Sequence, residues 1–407
     1  SILNVNQYDC DLLQRYVESV STAGQLSFDA IGIEDTQAKL LYLLKIAKTM
    51  AQKYHVVVTN PPYMGSSGMS AKLSDYVKKN YPDSKADLFA VFIEHCGEMT
   101  KESCYQAMIT QHAWMFLSSF EKMREKLLQT KSITNLMHME NMVMGIAFGT
   151  AVTVFRNDHI DRYKGTYNQI KLQDIEDEKP KKFPVLENRF AQTSTDNFAK
   201  IPGSPVAYWV SEAVYRMYDA EPIERNFIPK FGMSTGDGER FIRFWYEEIE
   251  SNIAYFCNNE QEFISAQREW CVADKGGTYR RWYGNKNCVI WWKDNGAEIK
   301  NHKKSAVRSP QFFFRPHISW TLVSSGIFSA RYFENGFLLD TASNCLYYDT
   351  SKEKAMYALG YLNSCVAAFN LNLLNPTINM SCGVLGNLPY IEMNIDVVTA
   401  LVTTNLE

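Results

Sequence analysis

The chain has 407 residues, 46% of them hydrophobic and 21% charged, with a formal net charge of −3. This is a globular composition over a length too great for one ordinary core, so two domains are expected, and no run of about 18 apolar residues demands a membrane span. Nine cysteines without CxxC spacing argue against a disulfide framework or a cysteine-bound metal; with no charged-then-apolar leader, they read as reduced thiols of a cytoplasmic protein.

In chain order, residues 37–53, "QAKLLYLLKIAKTMAQK", place Leu40, Leu41, Leu43, Leu44, Ile46, Ala47 and Met50 on one broad helical face. That helix feeds "HVVVT", expected as a buried strand over 56–59. Asn60-Pro61-Pro62-Tyr63 must end the strand, because neither proline has an N–H and each fixes φ. Residues 87–100 then read as a helix capped by Asp87, 104–111 as a buried strand, and 118–130 as a helix capped by Ser118 or Ser119. The runs 132–139 and 149–157 are two further strands. Strands alternating with helices specify a doubly wound α/β sheet, whose ligand sites lie at the carboxyl ends of strands, where Asn60-Pro61-Pro62-Tyr63 falls.

Residues 158–203 are polar and without periodicity, and read as a connector. Residues 204–219 read as a helix capped by Ser204, with Pro205 in its first turn. From Met233 onward short strands, turns and aromatics alternate, with some helix near 351–374, which specifies a second, β-rich domain. Gly236-Asp237-Gly238 reads as a turn, His95 and His112 as packed or surface histidines, and Cys96 and Cys104 as buried thiols. The chain opens on Ser1 and closes on "VVTALVTTNLE", and so reads as a piece of a longer polypeptide.

The chemistry lies in the Asn-Pro-Pro-Tyr turn. The lone pair of an exocyclic amine on an aromatic base is delocalised into the ring, so the nitrogen is a poor nucleophile until its geometry is made more tetrahedral. The Asn60 amide carbonyl and the Pro61 backbone carbonyl can each accept one amino proton and return electron density to nitrogen. Prolines hold both acceptors in place beforehand, and Tyr63 offers a stacking face worth on the order of 1–3 kcal/mol. A base within a duplex is out of reach, so such a pocket implies an extruded nucleotide. Alone, the tetrapeptide is also consistent with a plain turn.

This motif resembles that of the S-adenosylmethionine-dependent N6-adenine DNA methyltransferases. "SKADLFAVFIEHC" (84–96) is similar to the helix after their motif, "AMITQHAWM" (107–115) to the next strand, and "AFGTAVTVFRN" (147–157) to the segment bearing a second base-stacking aromatic, here Phe148. "NPPYMGSSGMS" and "PGSPVAYWVSE" further resemble the large adenine methyltransferases of bacterial phage-resistance systems, the BREX or phage-growth-limitation type. The resemblance implies a partial Rossmann-like methyltransferase sheet over 1–157, a connector at 158–203, a mixed β-rich DNA target-recognition domain over 204–390 and a truncated tail at 391–407. It also implies S-adenosylmethionine as methyl donor, double-stranded DNA as partner, and other defence-system subunits as further partners. The Gly-rich donor loop of the family is missing: before Asn60 there are only Gly24 and Gly32.

From Lys275 to Arg331 eleven Lys/Arg stand against Asp294 and Glu298, which fits an anionic partner as well as an ordinary solvated face. Most of Trp282, Tyr283, Trp291, Trp292 and Phe312 to Phe314 are expected in the core. Arg240, Arg280, Arg281, Lys286, Lys293, Lys303, Lys304 and Arg308 are then expected to face phosphates. Two other readings stay open: a methyltransferase acting on protein glutamine or RNA amines, and a DNA- or partner-binding module without catalysis.

Overall fold

The computed structural model describes residues 7–19, 33–177, 179–375 and 377–407. Gly24 and Gly32, on which the reading of the donor loop turns, lie outside the described residues. The chain divides into two compact units, Ser1–Ala199 with Gly203–Trp209, and Lys200–Pro202 with Val210–Glu407.

The first unit runs α1 (Gln7–Ser19), α2 (Ile33–Ala51), β1 (Tyr54–Thr59), α3 (Ala71–Asn80), α4 (Leu88–Met99), β2 (Thr100–Gln111), α5 (Glu121–Thr130), β3 (Ser132–Met139), β4 (Thr150–Arg156) and β5 (Thr166–Ile170). A hairpin of β6 (Ile175–Glu176) and β7 (Lys179–Pro180), then β8 (Arg189–Phe190), follow. Six strands form one sheet in the order β1-β2-β4-β3-β5-β8. β1 and β2 are parallel, as a strand–helix–strand unit requires, but β4 lies antiparallel between β2 and β3. The short link from Met139 to Thr150 is the reason: it can reverse the chain, whereas a parallel return needs a crossover of about a dozen residues or more.

This topology gathers four segments at one end of the sheet. Thr59 pairs with Met108, Gln111 with Thr150, and Met139 also with Thr150. The carboxyl ends of β1, β2 and β3 and the start of β4 therefore converge.

Several expectations change. β1 is not buried: among the described residues it pairs only with β2, and Val56 and Val58 are 58% and 72% exposed. The helix over 37–53 forms, but Leu40, Leu43, Ile46 and Met50 remain exposed. The stretch expected as a connector supplies β5 to β8, and Tyr167, fully buried on β5, stacks on Tyr208 with ring centroids 5.1 Å apart. Ser118 and Ser119 do not cap α5; they form a 3-10 turn whose backbone bonds replace a side-chain cap. Ser204 begins no helix: Val206, Ala207 and Tyr208 are buried in an irregular segment tied by Val206 N–H to the Met115 carbonyl at 3.0 Å. The helix there, α6, spans only Glu212–Met217. Arg124 fastens the segment before it, donating to the carbonyls of Trp114 (2.8 Å), Leu117 (2.7 Å) and Gly203 (2.6 Å).

The second unit contains β9 (Ile228–Phe231), α7 (Gly238–Phe241), β10 (Ile242–Phe244), β11 (Ile253–Ala254), α8 (Glu260–Ala266), β12 (Trp270–Asp274), β13 (Cys288–Trp291) and α9 (Lys293–Asn301). It continues with β14 (His317–Thr321), β15 (Ala330–Phe333), β16 (Leu338–Leu339), β17 (Ser343–Tyr347), α10 (Lys352–Leu362), α11 (Cys365–Leu374), α12 (Cys382–Gly386) and α13 (Ile395–Leu406). One sheet has the order β10-β13-β12-β11 with β16 on β12; the other is antiparallel, β15-β14-β17-β9. The Gly-Asp-Gly sequence is a turn, with Gly236 at φ +75° and Asp237 capping α7. The expected tail is instead α13, packed so closely on α10 that a Cβ at Gly360 would stand 2.7 Å from Val398 Cγ1.

Among the described residues no helix is long and apolar enough to cross a membrane, and no group of His, Cys, Asp and Glu is arranged to hold a metal ion. All nine cysteines are unpaired; Cys96 is buried, whereas Cys104 is half-exposed.

Candidate active site

Asn60 follows the last residue of β1, and the two prolines end the ladder there. Pro61 is buried while Asn60 and Pro62 are exposed. Neither the Asn60 side chain nor the Pro61 carbonyl is engaged by another described residue. Two hydrogen-bond acceptors on a rigid turn are thus free to take a ligand's protons.

The turn is held from α4. Asp87 caps that helix by accepting from Phe89 N–H at 3.3 Å, as expected, and the same carboxylate oxygen accepts Met64 N–H at 3.0 Å. Leu88 N–H returns a bond to the Met64 carbonyl at 3.0 Å, and Ser66 N–H another to Ala86 at 3.0 Å. Asp87 therefore positions the turn besides capping a helix. Sequence spacing could show only the cap, because the second bond joins residues far apart in the chain.

Tyr63 is half-buried. Its hydroxyl donates to the Ile109 carbonyl at 3.2 Å, and burial raises its pKa, so the phenol stays neutral. Its ring meets Phe89 edge-on at 6.1 Å and Phe148 edge-on at 5.7 Å, the second pair at 72°. The sheet thus brings Phe148 beside Tyr63 across 85 positions of sequence. Two faces enclosing a flat base stand roughly 7 Å apart, two contacts of about 3.5 Å. The edge-on pair leaves no such gap between the two rings.

Behind Phe148, Gly149 supports His112. His112 N–H donates to the Gly149 carbonyl at 3.0 Å, and a Cβ at Gly149 would fall 2.5 Å from the imidazole. His112 Nδ1 is 2.8 Å from His138 Nε2, and His138 Nδ1 is 3.0 Å from the Tyr208 hydroxyl. Burial lowers the pKa of His112 and takes that of His138 down to about 3, so both rings are neutral near pH 7. Residue spacing carries no sign of these linked rings, since their members belong to three separate segments.

The basic residues of the second unit are unequal. Arg240 pairs with Glu298 at 2.7 Å and lies over the Phe241 ring at 4.8 Å. Lys293 pairs with Glu269 at 2.7 Å. Lys286 does not face outward: its ammonium binds Glu334 and lies over the Tyr283 ring at 3.9 Å, with only 10% of the side chain exposed. Burial lowers its pKa despite Glu334. Arg280, Arg281, Lys303, Lys304 and Arg308 are exposed and form no ion pair with a described residue. Of the expected core aromatics, Trp292 and Phe312 to Phe314 are buried, Trp282 and Trp291 partly so, and Tyr283 is exposed.

Comparison with known proteins places these features. The Eco57I restriction-modification methylase family matches residues 11–143. The adenine-specific methyltransferase PglX of Lacticaseibacillus casei (strain Zhang) is 34% identical over 98% of this chain, and the adenine-specific methyltransferase BrxX of Escherichia coli O9:H4 (strain HS) 31% identical over 97%. Over nearly its whole length the chain is similar to PglX-type adenine-specific methyltransferases. It spans about a third of these relatives, 35% and 32% of their lengths. The solved structure of the Type IIL restriction-modification enzyme MmeI in complex with DNA superimposes with a TM-score of 0.52 at 13% identity, covering 86% of this chain and 48% of that one. That likeness establishes the shared fold, a Rossmann-like sheet followed by a β-rich region.

Proposed function

We propose that this chain carries the base-accepting side of an S-adenosylmethionine-dependent DNA methyltransferase that modifies the N6 amine of adenine, in a restriction-modification or phage-defence system. The observation that carries this reading is the pair of unengaged acceptors, Asn60 Oδ1 and the Pro61 carbonyl, on a fixed turn beside two aromatic rings. With an extruded adenine, Asn60 and Pro61 each accept one N6 proton, and the nitrogen lone pair is released from the ring toward the electrophile. Tyr63 and Phe148 enclose the base, Phe148 turning from its edge-on position. The cationic product, strongly acidic, then passes one of the two amino protons to solvent water, and no strong base is needed to begin.

The described residues do not by themselves fit a methyl-donor pocket. Ahead of Asn60 they contain no glycine, and the side of β1 away from β2 has no pairing strand among them. The methyl group on this reading comes from S-adenosylmethionine, held with residues beyond those described. Duplex DNA is the partner proposed for the second unit, a target-recognition domain, and Arg280, Arg281, Lys303, Lys304 and Arg308 are the residues available for its phosphates. The test is transfer of a labelled methyl group to unmodified genomic DNA by the full-length enzyme, with N6-methyladenine as the product. Modification of RNA or of protein glutamine instead of DNA overturns the substrate assignment.

A further inference from the structure

The polar chain from Tyr208 through His138 to His112 has a direction. Tyr208 is 1% exposed, its phenol pKa is raised by burial, and its hydroxyl has no partner among the described residues except His138 Nδ1. A buried hydroxyl that failed to donate would carry the full desolvation cost of its proton. Tyr208 therefore donates to His138 Nδ1. A neutral imidazole has one N–H, so the His138 proton sits on Nε2 and is donated to His112 Nδ1. The same rule puts the remaining proton of His112 on Nε2. That atom has no hydrogen-bond partner among the described residues and is not enclosed.

His112 is therefore held as a donor of one fixed tautomer. Its ring rests against Gly149, next to Phe148, at the end of the sheet where the Asn60 turn lies. The acceptors Asn60 and Pro61 address only the amino edge of a base. A donor is the complementary element a purine requires, because its ring nitrogens and the adjoining phosphate oxygens are acceptors.

We propose that His112 contacts the target nucleotide directly, its Nε2–H donating to an acceptor of that nucleotide, with Tyr208 and His138 as the positioning residues that fix its tautomer. This rests on the adenine-methyltransferase reading, and it adds a substrate contact that the Asn-Pro-Pro-Tyr turn does not supply. Both histidines being neutral near pH 7 is consistent with it.

The first test needs no DNA. Nitrogen-15 histidine spectra of the full-length enzyme, with the two resonances assigned by their loss in His112→Phe and His138→Phe, are expected to show His112 and His138 both as the Nε2–H tautomer, and Tyr208→Phe is expected to mix the tautomers of both. An Nδ1–H tautomer at His112 in the unmodified chain overturns the proposal. The second test uses the full-length enzyme and a duplex carrying its site as mapped on methylated genomic DNA. His112→Phe is expected to lower kcat/KM about tenfold, the worth of one hydrogen bond of ordinary strength or slightly more. On a duplex whose target purine lacks the acceptor nitrogen, or whose adjoining phosphate is a methylphosphonate, the two enzymes become equal; which substitution equalises them distinguishes base from phosphate. Equal losses on every substrate mean that His112 is structural and overturn the proposal. Loss of transfer in Asn60→Ala with no effect of His112→Phe overturns this inference alone, whereas full activity of Asn60→Ala overturns the underlying reading as well.

Discussion

At the strand ends of the first unit Asn60 is exposed and has no partner among the described residues, while in the second unit Lys286 is closed off between Glu334 and three aromatic rings. Both residues stood out in the sequence for their chemistry. The Asn60 turn could be placed because its geometry is local: two prolines stop a strand wherever it lies. The fate of Lys286 is decided by Glu334 and Phe337, far along the chain, and a run of basic residues says nothing about which carboxylates fold back onto it. An isolated charge pattern is thus weaker evidence of a surface than a turn motif is of a site.

The largest expected effect lies at the turn. Asn60→Ala removes an acceptor that supports no part of the fold, so methyl transfer by the full-length enzyme is expected to fall about 10²- to 10³-fold, as for loss of one preorganised polar group, with unfolding unchanged. Next is Arg124, a residue 1% exposed whose guanidinium donates to three carbonyls. Arg124→Ala leaves the Trp114 and Gly203 carbonyls without a donor among the described residues, while Leu117 keeps the Phe120 N–H, and is expected to destabilise the first unit by about 2–4 kcal/mol, read by denaturant unfolding. Such a change without loss of stability would mean that the segment at Gly203 is not anchored there.

Lys131 sharpens the contrast from the side of the core. Burial brings its pKa down to about 8, with Asn157 accepting from its ammonium. A lysine with a lowered folded pKa binds fewer protons folded than unfolded between about pH 8 and its ordinary value of 10.5, so its contribution to stability rises with pH across that window. Lys131→Met is expected to remove that rise, a difference on the order of 1–2 kcal/mol between the two proteins' unfolding curves at pH 8 and pH 10. The smallest effect belongs to the second unit. Lys303→Gln with Lys304→Gln is expected to make the salt dependence of DNA binding shallower, by about one in the log–log slope for each lysine that meets a phosphate, and Lys286→Met to leave that slope unchanged. A fall in the slope with Lys286→Met would show that the ion pair opens when DNA binds.

Much of the first unit was legible because strand and helix periods are local: 54–59, 88–99 and 132–139 fall where the pattern put them. The antiparallel insertion of β4 was not, because period-2 alternation carries no direction. Residues 158–203 were read as a connector because β5 to β8 are too short for alternation to show, and their partners lie elsewhere in the sheet. The site was half legible. Tyr63 and Phe148, far apart in sequence, lie against each other, whereas Asp87 acting on the turn and His112 joined to His138 and Tyr208 are long-range pairings that residue spacing cannot encode.

The most direct measurement is the yield of N6-methyladenine in unmodified genomic DNA treated with the full-length enzyme and labelled S-adenosylmethionine, set against the same enzyme carrying Asn60→Ala. Abundant label at adenine N6 with the unchanged enzyme, and a loss of at least about a hundredfold with the variant, is the expected result. Equal labelling by the two proteins, or label found on another atom, would contradict the role given to the strand-end acceptors.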